Sequence, residues 1–192
     1  MNMRRWIFVI LLITLVTLSG CDKSEKLKTD DSSDPIENPK EISEFSILIG
    51  DEKVSLMDWD DKVDLEEIFG KPIEEKIEKL GPGSDTFEGS FIKEVKFSGI
   101  EFEMFSPKEN GKSFFVLSME VTDSKFETKR GIKVGDGLEK LNEMYPEIQP
   151  VLDGREDSNN RGYKIEEGAY NYLTFEVKDG IIINIKIYHE FA

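Results

Sequence analysis

Chemistry needs nucleophiles, bases or metal ligands, and this chain offers few. His189 is its single histidine and Cys21 its single cysteine. A serine or cysteine hydrolase would have to draw its base from His189, three residues from the C-terminus. A zinc site would need carboxylates almost alone. His189 therefore reads as a surface or edge-strand residue. Asp58, Asp60, Asp61 and Asp64 cluster ahead of a helical pattern, and oxygen-rich clusters can hold calcium. The cluster lacks the glycine and terminal glutamate of an EF-hand loop, so it reads first as helix capping on a solvated acidic face and only second as a metal site. Glutamates are plentiful, but no pair stands out as the acid and base of a glycoside hydrolase. Gly81-Pro82-Gly83 is a turn, not a phosphate cradle. The expectation is a protein that binds rather than catalyses, with no cofactor. The alternatives are an envelope hydrolase using Asp and Glu side chains, or a calcium-dependent surface protein using the aspartate cluster.

The N-terminus has a different character. Arg4 and Arg5 precede an almost unbroken apolar run from Trp6 to Leu18. A membrane span needs about 20 apolar residues, so the run is short for one and has the length of a signal-peptide h-region. Leu18-Ser19-Gly20-Cys21 closes it. This resembles the lipobox of bacterial lipoproteins: aliphatic, small, small, cysteine. The resemblance implies that residues 1–20 are a signal peptide. It also implies that the Cys21 thiol takes a diacylglyceryl group and that its freed amine is open to a further acyl chain such as palmitate. A lone thiol elsewhere in an oxidising compartment would be a liability. Each buried methylene contributes about 0.8 kcal/mol, and two or more chains anchor a protein stably. The expected location is the extracytoplasmic side of a cell membrane.

The formal net charge is −15, and the leader contributes two positive charges and no acid, so the chain beyond it is more acidic still. Phosphate repulsion argues against nucleic acid, and the same acidity argues against a polybasic grip on anionic lipid. Solubility explains such a charge, and so does attraction to a basic partner. Residues 22–44 hold only Leu27, Ile36 and Ile42 as clear apolar residues. Too little apolar surface is available there to offset ordering entropy, so residues 21–44 read as an acylated, disordered tether of about 25 Å root-mean-square reach.

Residues 45–192 read as one α+β domain. Period-two stripes mark strands: Phe45, Ile47 and Ile49; Phe91, Val95 and Phe97; Ile100, Phe102 and Met104; Phe115, Leu117, Met119 and Val121; Leu173, Phe175 and Val177; Ile181, Ile183, Ile185 and Ile187. A three-residue Lys178-Asp179-Gly180 loop would set Val177 opposite Ile181 and keep both final stripes on one side, so register favours it over a two-residue Asp179-Gly180 loop. Asp61 or Asp64 can cap a helix bearing Leu65, Ile68 and Phe69, ended by Gly70. Pro72 can open a second, with Ile73, Ile77 and Leu80 on one stripe. Asp136 can cap a third, with Leu138, Leu141 and Tyr145 inward.

Ile47-Leu48-Ile49-Gly50-Asp51 and Ile132-Lys133-Val134-Gly135-Asp136 each precede a helix and then strands, which suggests two degenerate half-repeats over about 45–122 and 123–192. The stretch Thr128-Lys129-Arg130-Gly131-Ile132-Lys133-Val134-Gly135-Asp136-Gly137-Leu138, with Leu141 and Tyr145-Pro146, resembles a motif of small lipoproteins of the β-lactamase-inhibitor-protein-like and SmpA/OmlA-like group. The resemblance implies short helices packed on an antiparallel sheet, often in tandem. It implies no binding residues, because the inhibitors' disulfides are absent and their inhibitory loop residues find no match. Tyr170, Tyr172, Tyr188 and Phe114 fall opposite the expected core stripes, and an aromatic sheet face can recognise an envelope protein partner. If Cys21 is the anchor, cells fed labelled palmitate label the wild-type chain and not Cys21→Ser. Equal labelling of both, or labelling of neither, contradicts the lipid anchor.

Overall fold

Strand stripes and helix caps assemble as follows in the computed structural model, which describes residues 43–107, 111–168 and 170–191. Cys21 and most of the tether lie outside these. The chain enters through β1 (Ser46–Ile49), turns at Gly50 (φ 59°) and returns as β2 (Glu52–Ser55). The other edge of β1 pairs with β7 (Glu127–Thr128), giving a small three-stranded sheet. Helix α1 (Leu65–Phe69) starts where the Asp64 carboxylate accepts the backbone N–H groups of Glu66 and Glu67, both at 3.0 Å, and stops at Gly70 (φ 81°). Next come β3 (Glu74–Lys79), β4 (Phe91–Phe97), β5 (Ile100–Ser106) and β6 (Phe115–Val121). After β7, helix α2 (Leu138–Met144) leads into β8 (Gln149–Pro150), β9 (Gly162–Glu167), β10 (Asn171–Lys178) and β11 (Ile181–His189). These strands form one eight-stranded antiparallel sheet in the order β3-β4-β5-β6-β11-β10-β9-β8. Each helix is thus followed by a four-stranded meander, and the meanders meet where β6 pairs with β11.

One face of the sheet carries the core. Phe97, Phe102, Met104, Val116, Met119, Val121, Leu173, Phe175, Val177, Ile182, Ile185 and Ile187 are buried there, under Leu65, Leu141, Tyr145, Phe126, Ile132, Ile47 and Val54. Phe69 of α1 lies 5.1 Å from the Phe102 ring, and Tyr145 at the end of α2 lies 5.3 Å from the Phe175 ring. The Tyr145 hydroxyl donates to Thr128 Oγ1 at 2.9 Å, and burial lifts its pKa above the ordinary phenol range.

Five expectations from the sequence give way to the geometry. Residues after Pro72 form strand β3, not a helix: the open edge of β4 offers a ladder bracketed by Ile73 N–H to Lys96 C=O (2.7 Å) and Leu80 N–H to Ser90 C=O (2.8 Å). The Glu-Glu-Lys run then serves as a charged edge strand, with Ile73 and Ile77 exposed. The β10–β11 loop is the two-residue Asp179-Gly180 turn, with φ 52° and 76° as a type I′ turn requires, so Lys178 faces Ile181 and Val177 faces Ile182. The stripe conflict is resolved by a bulge: Glu176 pairs with Asn184, leaving Ile183 unopposed. Ile182, Ile185 and Ile187 are therefore buried, whereas Ile181 and Ile183 are exposed. A matching slip in β5·β6 leaves Leu117 unopposed, which turns Phe114 and Val116 into the core and Phe115 out of it. Asp136 is not the α2 cap; Gly137 holds that position. Glu44 belongs to the fold rather than to the tether: Arg130 donates to it (3.2 Å), to Glu147 (2.6 Å) and to the Met144 carbonyl (3.0 Å) at the end of α2.

Asp136 instead closes a loop that has a close parallel in the first half. The Lys133 N–H donates to Asp136 Oδ2 at 2.8 Å, Gly135 N–H to Ile182 C=O at 2.8 Å, and Ile182 N–H to Asp136 C=O at 2.9 Å. In the first half Ser55 N–H donates to Asp58 Oδ2 at 2.8 Å, Met57 N–H to Val116 C=O at 2.9 Å, and Val116 N–H to Asp58 C=O at 2.9 Å. Gly50-Asp51, by contrast, is the β1–β2 turn, and it is Met57-Asp58 that makes the bonds parallel to those of Gly135-Asp136. Asp58→Ala and Asp136→Ala each strand a half-buried backbone N–H and are expected to cost about 1–2 kcal/mol. Urea unfolding of both variants measures this; a neutral result for either contradicts the assigned role.

Candidate functional site

The second face of the eight-stranded sheet is built from the polar members of the alternating strands. Neither α1, α2 nor the small sheet covers it; only at one end do Phe87 of the 3-10 turn Asp85–Phe87, Phe191 and Trp59 pack on it. Its side chains line up in continuous rows across the strands. One row runs Glu74, Lys96, Glu101, Glu120, Lys186, Thr174, Lys164, Gln149. The next runs Lys76, Glu94, Glu103, Ser118, Tyr188, Tyr172, Glu166. Over β4, β5 and β6 they leave a depression of about 290 Å³ lined by Glu94, Glu103, Ser118, Glu120 and Lys186 among others.

Two of the four residues anticipated as a recognition surface meet here. Tyr172 and Tyr188 stack with ring centroids 5.0 Å apart and planes 20° apart. Lys164 lies 5.5 Å from the Tyr172 centroid and Lys186 5.7 Å from that of Tyr188, within cation–π range. Burial, then the nearby carboxylates Glu166 and Glu190, raise both phenol pKa values. Glu166 accepts from Lys164 (3.1 Å) and raises the lysine pKa in turn. Tyr170 is exposed but sits on the β9–β10 turn, its ring 6.1 Å from His189. Phe114 is buried in the core and offers no surface. His189 pairs its Nδ1 with Asn171 Oδ1 at 2.8 Å at the end of the sheet. At the same end Phe105 and Phe115 are closed over by Phe87, Phe191 and Trp59, with centroids 4.7–5.7 Å apart.

The aspartate cluster is divided among separate tasks. Asp58 accepts from the Ser55 N–H. Asp60 accepts from the Phe114 N–H (3.0 Å) and faces Lys93 (3.9 Å). Asp61 pairs with Lys62 (3.4 Å), and Asp64 caps α1. Among the described residues no three His, Cys, Asp or Glu side chains converge as metal ligands.

Glu94, Glu103, Ser118, Glu120 and Lys186 were not singled out by the sequence. The signal was the polar half of each alternation, but its meaning depends on β6 lying beside β11, a pairing of residues far apart in the chain. Comparison with protein-family models, curated proteins and solved structures finds no match.

Proposed function

We propose that this is a lipid-anchored, extracytoplasmic protein of the bacterial envelope that docks a protein partner on the open face of its eight-stranded sheet. The observation that carries the reading is the contrast between the two faces: one is sealed by both helices and the small sheet, and the other presents a stacked tyrosine pair amid ordered charges. Paired aromatics supply contact area with little entropy loss on binding, as binding hot spots require. The leader and Cys21 would put the domain at the membrane surface, and the polar segment behind Cys21 would give it reach.

The two halves are, in this reading, copies of one unit related by a pseudo-twofold axis through the β6·β11 seam. Supporting it, Asp58 matches Asp136, Phe69 matches Tyr145, Phe102 matches Phe175, and the bulge at Leu117 matches that at Ile183. At the seam Met119 faces Ile187 and Val121 faces Ile185, a self-complementary arrangement about Glu120 and Lys186. A tandem of short helices on an antiparallel sheet is also what the resemblance to β-lactamase-inhibitor-protein-like and SmpA/OmlA-like lipoproteins implies.

The test places a photo-crosslinking amino acid at Tyr172 or Tyr188, and in a parallel strain at Glu139 on the exposed side of α2, in living cells. A discrete adduct with an envelope protein from the tyrosine positions alone is expected. Equal adducts from α2, or none from the open face, overturn the reading.

A further inference from the structure

The halves match on their covered face and diverge on the open one. Following the strand register, Lys96 corresponds to Lys164, but Glu94 corresponds to Gly162, Glu101 to Thr174 and Glu120 to Lys186. Gly162 is crowded: a Cβ there would meet Val151 at 3.1 Å, so a side chain fits only if Val151 gives way. At Glu94, Glu101 and Glu120 the first half thus carries carboxylates where the second has none; Glu103 keeps a counterpart in Glu176, which pairs with Arg155, and the tyrosine pair closes the row from the other side.

Glu94 and Glu103 stand directly opposite each other, as do Glu101 and Glu120. Like charges in that position weaken a sheet. The second pair is offset, because Lys96 bonds Glu101 and Lys186 lies 4.0 Å from Glu120. The first pair is offset less: Lys76, across the strand from Glu94, feels its charge but bonds Glu78 at 3.0 Å, and no ion pair joins Glu94 or Glu103 to a cation among the described residues. Folding alone would favour a lysine in place of Glu103, which faces Glu94 on one side and Ser118 on the other. A site that trades stability for recognition keeps such a repulsion.

Resting on the docking reading above, we propose that this strip receives an extended segment of a basic partner protein. A lysine or arginine of the segment lies against Glu94 and Glu103, and an apolar or aromatic side chain lies on the stacked rings of Tyr172 and Tyr188. From β4 to β10 the row crosses four strand spacings, about 19 Å, which about six extended residues span. Two carboxylates side by side suit one guanidinium or ammonium group, whose charge-assisted hydrogen bonds are the strong ones. The chain's net charge of −15 draws a basic partner in and rejects an acidic one.

The test is fluorescence anisotropy of the full chain with a labelled hexapeptide of alternating arginine and valine, beside the same peptide with glutamate in place of arginine. The arginine peptide binds and the glutamate peptide does not. The double variant Glu94→Gln/Glu103→Gln weakens binding at least tenfold and raises Tm, which rules out a folding defect as the cause. Tyr172→Thr weakens binding several-fold. Glu139→Gln/Glu143→Gln on α2, with the same change in net charge, leaves Kd within about twofold. Equal weakening by the two double variants reduces the effect to bulk charge and overturns the proposal, as does failure of the arginine peptide to bind. If that failure coincides with face-specific cross-linking in cells, the basic chemistry is wrong and the docking face stands. If both fail, the docking face falls too.

Discussion

The antiparallel pairing of β6 with β11 is the contact on which the rest of the structure depends. Met119 opposite Ile187 and Val121 opposite Ile185 are all buried, so the seam is both a hydrogen-bonded ladder and the middle of the core. Without it each meander would end in an unpaired strand with an apolar face and an open edge, an aggregation hazard. With it, only β3 and the two-residue β8 remain as edges of the large sheet, the first lined with Glu and Lys and the second very short. No disulfide is available to a chain with one cysteine, so packing along this seam has to supply the stability.

The seam also decides what each face can do. Phe69 packs on Phe102 and Tyr145 on Phe175, so both helices cover the same side of one continuous sheet. Placing both α-helices and the small sheet on that side leaves most of the other free, and the same register draws Ser118 and Glu103 of the first half beside Tyr188 and Tyr172 of the second. The proposed recognition strip is composite: neither half carries both its carboxylates and its tyrosines.

How far the residues alone disclose this depends on the range of the interaction. Local signals were sound: Asp64 and Gly70 bound α1, the chain leaves α2 just before Pro146, and the alternation marks β4, β5 and β10. Signals that depend on a distant partner point the wrong way when taken alone. The run after Pro72 has helical spacing and becomes a strand because β4 has an edge to fill. The bulges at Leu117 and Ile183 invert the alternation partway along β6 and β11, so that Phe114 exchanges an expected surface place for a buried one. Of the candidate site, Tyr172 and Tyr188 were legible as outward aromatics. Glu94 and Glu103 were not, since a glutamate in an acidic chain acquires meaning only from what lies across the strand.

The account stands on the two halves folding as one sheet through their seam. Native-state hydrogen exchange tests that most directly. The account predicts that the β6 and β11 amides are among the slowest to exchange, and that β5 and β10 open with the same free energy, by global unfolding alone. Separate opening free energies for β3–β6 and β8–β11, with faster exchange along β6 and β11, would contradict it.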